Sequence, residues 1–212
     1  MYLPTQFDCE NRGQAHTTEA IVASILILLA VLFALQTTTV TPFSSTTTDK
    51  HLENQERELV SNTIDITHTS GELKQTLLNW NGSDTAGNEK EGFAGRANPN
   101  ETSYYTNMDA DTAFLNRLND SIDTTQTAYN VNLKHYNTST EMKSQRLLRT
   151  GSPSDNVVTV RKPIVLHDSD TLTTQPHTQL QNTDSEDFYI TSLNETAPIY
   201  NYVEVEVVVW RR

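Results

Sequence analysis

The sequence predicts an α+β chain: an N-terminal transmembrane helix followed by an outer domain in which an antiparallel sheet packs on helices. Three observations carry that expectation. Residues Ala20 to Leu35 form an unbroken apolar run. Leu52, Leu59, Ile66 and Leu73 recur every seven residues with Val60, Leu77 and Leu78 beside them, a helical rather than a strand period. Val203, Val205, Val207 and Val209 share one face of a segment whose other face holds Glu204 and Glu206, the alternation of a half-buried strand.

Each element follows in order. With Thr17, Thr18 and Thr37 to Val40 accepted at its rims, the apolar run reaches about 20 residues, enough at 1.5 Å per residue to cross a hydrocarbon core of about 30 Å. Few basic residues precede the run and no small-x-small cleavage site follows it, which favours a retained anchor over a removed export signal. Pro42 kinks or ends this helix, Phe43 to Thr48 reads as a polar hinge, and Asp49 is placed to cap a second helix starting near Lys50. The seven-residue stripe on that helix has two readings: a seam for a partner helix, or a face laid on the chain's own sheet. Gly71 marks a break before Glu72, and Trp80 ends the element.

The stretch Asn81 to Asn107 has the Gly, Asn and Ser content of an exposed loop. Asp109 and Asp111 suit the capped start of a helix carrying Ala113, Phe114, Leu118 and Ile122; a divalent-ion site is the alternative use of the same carboxylates. Tyr129, Val131 and Leu133 alternate with Asn130, Asn132 and Lys134 and predict a strand. A turn at Gly151 to Pro153 leads to a second strand over Val157 to Leu166, and Asp168 to Asp187 reads as a loop before the final strand. The expected organisation is a cytoplasmic leader at 1–16, a membrane helix at 17–40, a hinge and amphipathic helix at 41–80, and an extracellular α+β domain at 81–212 of about three to five strands.

Charge narrows the partners. Fifteen basic against 27 acidic residues give a net charge of −12, so nucleic acid is not an expected partner. Such an acidic surface fits either a high-salt setting, where screening relieves self-repulsion, or an ordinary extracellular domain. Cys9 is the single cysteine, so no internal disulfide forms. The triplets at Asn81, Asn100, Asn119, Asn137 and Asn194 match the N-glycosylation pattern, although a chain rich in Asn, Ser and Thr generates such triplets by chance. His16, His51, His68, His135, His167 and His177 lack the spacing of a zinc site. His167-Asp168-Ser169 holds the letters of a hydrolase triad, but neighbours on a strand point to opposite faces and cannot form the relay. No catalytic, cofactor-binding or metal residue is expected, and an enzyme is not the expected function.

Arg12-Gly13-Gln14, the carboxylate of Glu19 and the apolar run together resemble the class III signal of archaeal pilins and archaellins, in which a prepilin peptidase cuts after a Gly that follows a basic residue. A wider pattern is similar to a family of uncharacterised haloarchaeal pilin-like membrane proteins. It takes in Arg12 to Thr17, the strand Tyr129 to Leu133, Pro153 to Val158, and Tyr200 to Val205 with Trp210-Arg211. The resemblance implies a pilin-like outer domain, cleavage between Gly13 and Gln14, and a role for Glu19 as an assembly charge that meets the new amine of a neighbouring subunit. Two features depart from the pattern: His16, Thr17 and Thr18 are more polar than usual, and Glu19 stands one place later than the usual bacterial acid. Glu19 also suits an uncleaved helix start, where the macrodipole favours a carboxylate. The expectation is a structural subunit or minor component of a surface appendage or secretion assembly, with membrane lipid, other pilin-like subunits and a prepilin peptidase as partners. Its alternative is a single-pass anchored surface domain that binds a partner without polymerising.

Overall fold

In this computed structural model the described residues are 10–40, 42–82, 91–107, 112–137, 141–154, 157–184, 187–193 and 197–212, with side chains described within 16–34 and from 50 onward. The chain divides into two units, Met1–Leu52 and Glu53–Arg212.

The first unit is helical. Helix α1 spans Glu10–Val40, and α2 (Pro42–Ser70) begins within this unit. The sequence expectation of a polar hinge at Phe43 to Thr48 is corrected, because those residues are helical and α2 starts at Pro42 rather than near Lys50. A proline at the first helical position has the right φ, and the amide it lacks would have no helical partner there.

The second unit is α+β. Its sheet contains β3 (Thr127–Tyr136), β4 (Met142–Arg149), β5 (Val157–His167) and β6 (Ile199–Arg211) in the spatial order β4-β3-β6-β5, with every pairing antiparallel. Alternation sets the register, since Val205 sits between Leu133 and Lys162 while Glu206 sits between Asn132 and Arg161. On the core face Tyr129, Val131, Leu133, Val203, Val205, Val207 and Val209 are at most 1% exposed. Opposite them lie Val60 and Ile64 of α2, Leu73 and Leu77 of α3 (Glu72–Leu77), and Phe114, Leu115 and Leu118 of α4 (Ala113–Ser121), all in one core. One polar flank of α2 is tied to β5 and β6. Lys162 binds Asp65, Arg211 reaches Glu56 at 3.1 Å, and Arg57 donates to the Thr159 carbonyl at 3.1 Å.

The seven-residue stripe is only partly the buried one: Leu73 lies in the core and Leu52 is half-buried, but the two middle positions turn outward. Val60, Thr63, Ile64 and Thr67 face inward, whereas Leu59 is 43% and Ile66 57% exposed. The two threonines tolerate burial because their hydroxyls return to the helix's own carbonyls, Thr63 to Leu59 at 2.9 Å and Thr67 to Thr63 at 2.8 Å. Gly71 does break the helix, with φ at +83°, a left-handed conformation that costs Gly nothing and other residues about 1 kcal/mol.

The region expected as a plain loop after Trp80 is partly ordered. Strands β1 (Trp80–Asn81) and β2 (Gly92–Phe93) pair, and Tyr105 bridges Leu148 in parallel, donating to the Leu147 carbonyl and accepting from Arg149. Arg96, 6% exposed, holds the following turn by donating to the carbonyls of Thr102, Phe93 and Pro99 at 2.7, 2.9 and 3.1 Å. Gly92 is required there, because a Cβ would stand 2.6 Å from the Ser103 Cα. Asp109 and Asp111 lie outside the described residues. The cap of α4 is instead Thr112, whose hydroxyl accepts from the Leu115 amide at 3.3 Å.

Candidate functional site

Two features are candidates: the apolar segment of α1 with the polar residues at its start, and the polar face of the sheet. The first is set by composition. Residues His16–Ala34 form a stretch long and apolar enough to cross a membrane, and every one of them is exposed. At 1.5 Å per residue those 19 residues extend about 28 Å, close to the thickness of a hydrocarbon core. Ser24 keeps its hydroxyl within the helix by donating to the Ile21 carbonyl at 2.8 Å, so it adds no open polar group to the apolar surface.

At the start of this segment His16 Nδ1 stands 3.8 Å from Glu19 Oε2, one helical turn away, with both side chains more than four-fifths exposed. The pair attracts only when the imidazole is protonated. Gly13 and Gln14 lie in the helical backbone of α1, upstream of the described side chains. The structure thus puts Gly13, Gln14 and Glu19 on one continuous helix, within two turns of each other.

On the polar face of the sheet, Glu206 is the centre of an ion-pair cluster. Lys134 and Arg161, on the strands to either side, both bind its Oε2, the latter at 2.7 Å, while Glu204 lies farther off at 3.9 and 3.6 Å. Burial works to raise the Glu206 pKa, and the bonds from Lys134 and Arg161 outweigh it, leaving the carboxyl below its ordinary value. Both cations are taken up by these carboxylates, so the cluster reads as a strand-to-strand tie rather than a ligand site.

On the other face, at the same end as Asn201, His135 is 3% exposed, packs edge-on to Tyr189 at 5.8 Å, and has no hydrogen-bond partner for Nδ1 among the described residues. Burial lowers its pKa, and the nearby Lys143 charge adds to that. Asn201 is fully buried and extends the pairing of β3 and β6 with its side chain. It donates to the carbonyls of Tyr136 and Thr191 at 2.7 and 2.8 Å and accepts from the Tyr136 amide at 3.3 Å. Neither Asn201 nor Arg96 stands out in the sequence, because the carbonyls they bind become neighbours only after folding.

The glycosylation triplets divide by environment. Asn100 is exposed at the turn that Arg96 holds. Asn81 is half-buried in β1, and Asn137 is half-buried and bonded across its hairpin to Glu141. Asn119 is half-buried on α4 with its Oδ1 buried. Asn194 lies outside the described residues. Among the described residues no three His, Cys, Asp or Glu side chains converge on a metal-sized site. One hollow lined by described residues, about 540 Å³, has Asp168, Thr183, Asp184 and Tyr200 around it.

No curated protein and no solved structure matches the chain. A family model does match, over residues 12–209, which takes in both the apolar helix and the sheet. The chain belongs to that family, a family of unknown function (DUF7288).

Proposed function

We propose that this protein is a pilin-like structural subunit, or a minor component, of a surface appendage or secretion assembly, anchored in the cell membrane by its N-terminal helix. Residues 1–16 stand on the cytoplasmic side, 17–40 cross the bilayer, 41–80 lead out of it, and the α+β domain over 81–212 lies outside. Its role is structural, with no catalysis and no cofactor. Membrane lipid and other pilin-like subunits are its partners, a prepilin peptidase acts on Gly13-Gln14, and a net charge of −12 disfavours nucleic acid and suits a haloarchaeal, high-salt setting.

The observation that carries this reading is the exposure of every residue of His16–Ala34, in contrast to the buried core of the second unit. Burying one Leu or Ile side chain is worth about 1.5–3 kcal/mol, so a surface of this kind demands lipid or neighbouring helices. Support for a subunit comes from Glu19. A carboxylate drawn toward the apolar layer costs several kcal/mol unless paired, and the amine freed at Gln14 of a neighbour offers that partner.

The alternative, an anchored surface domain that binds without polymerising, is favoured by one specific observation. The Gly13-Gln14 bond lies within a helix, which a peptidase would have to unwind before cutting. Mass spectrometry of the membrane-resident protein separates the readings. A subunit begins at Gln14, and Glu19→Gln then impairs co-purification with partner subunits while leaving membrane insertion intact. A chain that keeps Met1 or Tyr2 overturns the subunit and leaves the anchor, whereas a mature end beyond Leu35 identifies a removed export signal and overturns both.

A further inference from the structure

We infer that Asn100 is a site of N-linked glycosylation, the one among the four described acceptor triplets that carries sugar in the folded domain, with a lipid-phosphate-linked oligosaccharide as the donor. The inference rests on the outer placement of the domain proposed above, since sugar is joined to Asn on exported chains.

Chance accounts for the triplets, and the fold sorts them. A sugar on Nδ2 is bulky and water-seeking, so the side chain that carries it has to stand in solvent with that nitrogen free of other bonds. The triplet at Asn119 lies inside α4. Asn119 is half-buried with its Oδ1 enclosed, and the Ser121 hydroxyl is turned back to the Leu118 carbonyl at 2.9 Å. Asn81 is half-buried and paired with Gly92 across the two short strands. Asn137 is tied into its hairpin: its backbone amide donates to the Glu141 carbonyl at 2.8 Å, and Nδ2 itself donates to Glu141 Oε2 at 3.4 Å. Its carbonyl also accepts from the Thr191 hydroxyl at 3.2 Å. A sugar there would displace the contact to Glu141.

Asn100 differs on each point. It is exposed, as is Glu101, it lies in neither helix nor strand, and its side chain makes no hydrogen bond among the described residues. The turn is closed around this side chain rather than through it. The amides of Glu101 and Thr102 both donate to the Asn98 carbonyl at 3.1 Å, and Arg96 holds the carbonyls of Thr102 and Pro99. The Thr102 hydroxyl, which completes the triplet, is bound only to carbonyls of the same turn, at 3.0 Å to Tyr104 and 3.4 Å to Asn98, so a chain not yet folded presents it freely.

In the transfer, Nδ2 of Asn100 bonds the anomeric carbon of the first sugar as the bond from that carbon to the lipid phosphate oxygen breaks. The phosphate leaves with the electron pair, and one Nδ2 proton passes to solvent. The turn loses no bond, because none of those that close it uses this amide.

Tryptic mapping of the full chain, isolated from the membranes of its own cells, tests this. Cleavage after Lys and Arg puts the four triplets on separate peptides, 75–90, 97–117, 118–134 and 135–143. Peptide 97–117 is expected to carry the mass of an oligosaccharide and the other three to carry none. Asn100→Gln and Thr102→Ala are each expected to abolish the added mass, and Thr102→Ser to keep it, because either hydroxyl completes the triplet. An unmodified 97–117 in protein whose domain is digested by protease added to intact cells overturns the inference and leaves the outer placement standing. An unmodified 97–117 in a domain protected from that protease overturns the outer placement as well. Sugar on 75–90, 118–134 or 135–143 overturns the sorting by environment.

Discussion

The two most apolar stretches of this chain, the His16–Ala34 segment of α1 and the strand β6, have opposite fates. In α1 the apolar residues run on with only Ser24 among them from residue 20 to 34 and are all exposed; in β6 Val203, Val205, Val207 and Val209 alternate with Glu204, Glu206 and the half-buried Val208 and are at most 1% exposed. Both are rich in aliphatic residues, so hydrophobicity alone does not distinguish them. What separates them is period. An alternating segment has one face to bury and finds that partner within its own domain. A helix that is apolar on all sides has no polar face to turn to water, the pattern of a membrane span or of a helix wholly enclosed by other elements.

The contrast breaks most readily by charge. Val205→Asp places an unpaired carboxylate on the buried side of β6 and is expected to destabilise the domain by at least about 3 kcal/mol, a large part of any domain's stability. Leu28→Asp in α1 is expected to leave the melting temperature of the sheet domain unchanged while shifting the chain out of the membrane fraction, since a central aspartate opposes insertion by about 2.5–3.5 kcal/mol. Thermal melts and membrane sedimentation of the two variants read both effects. Loss of domain stability in Leu28→Asp would show that α1 is part of the domain's core.

Acid sharpens the comparison from inside the domain. His135 lies in the core with its pKa lowered below the ordinary 6.5, chiefly by burial. The unfolded chain therefore binds the proton first as pH falls. The stability that depends on neutral His135 is complete above about pH 6.5 and drains away as the pH drops through and below that value. Denaturant melts between pH 7.5 and 5 are expected to show this loss, and His135→Phe to flatten it; an unchanged slope in the variant would assign the loss to other groups. The smallest effect belongs to the open face. Glu204→Thr removes only the longer contacts to Lys134 and Arg161 and is expected to cost less than about 1 kcal/mol, because Glu206 keeps both shorter ones.

The same contrast explains what could be read in advance. β6 and α1 were legible because each displays one dominant period, with Val208 and Ser24 the single departures from it. β4 was missed: Met142, Lys143, Ser144 and Arg146 are exposed on an edge strand, so its sequence lacks the alternation that marks a half-buried one. On α2 the seven-residue stripe misplaced part of the buried face, which takes in Thr63 and Thr67 because back-bonding to the helix lets these threonines lie inside. The candidate site was legible as far as its helix, because residues 13, 14 and 19 form a local pattern along one helix. His135, Asn201 and Arg96 owe their roles to groups brought near by the fold, and no local motif announces those.

One topological fact bears on how the domain is made. β6 pairs with β3 on one side and β5 on the other, yet it is the last of the three to be synthesised, about 70 residues after β3. Until residues 199–211 emerge, β3 and β5 have no shared neighbour, and the inner edges of both stand open to other chains. The central sheet therefore forms only after its last strand is available, a late, long-range step of the kind that slows folding. A chain cut before Ile199 would keep the β3–β4 pair and leave the inner edges of β3 and β5 open.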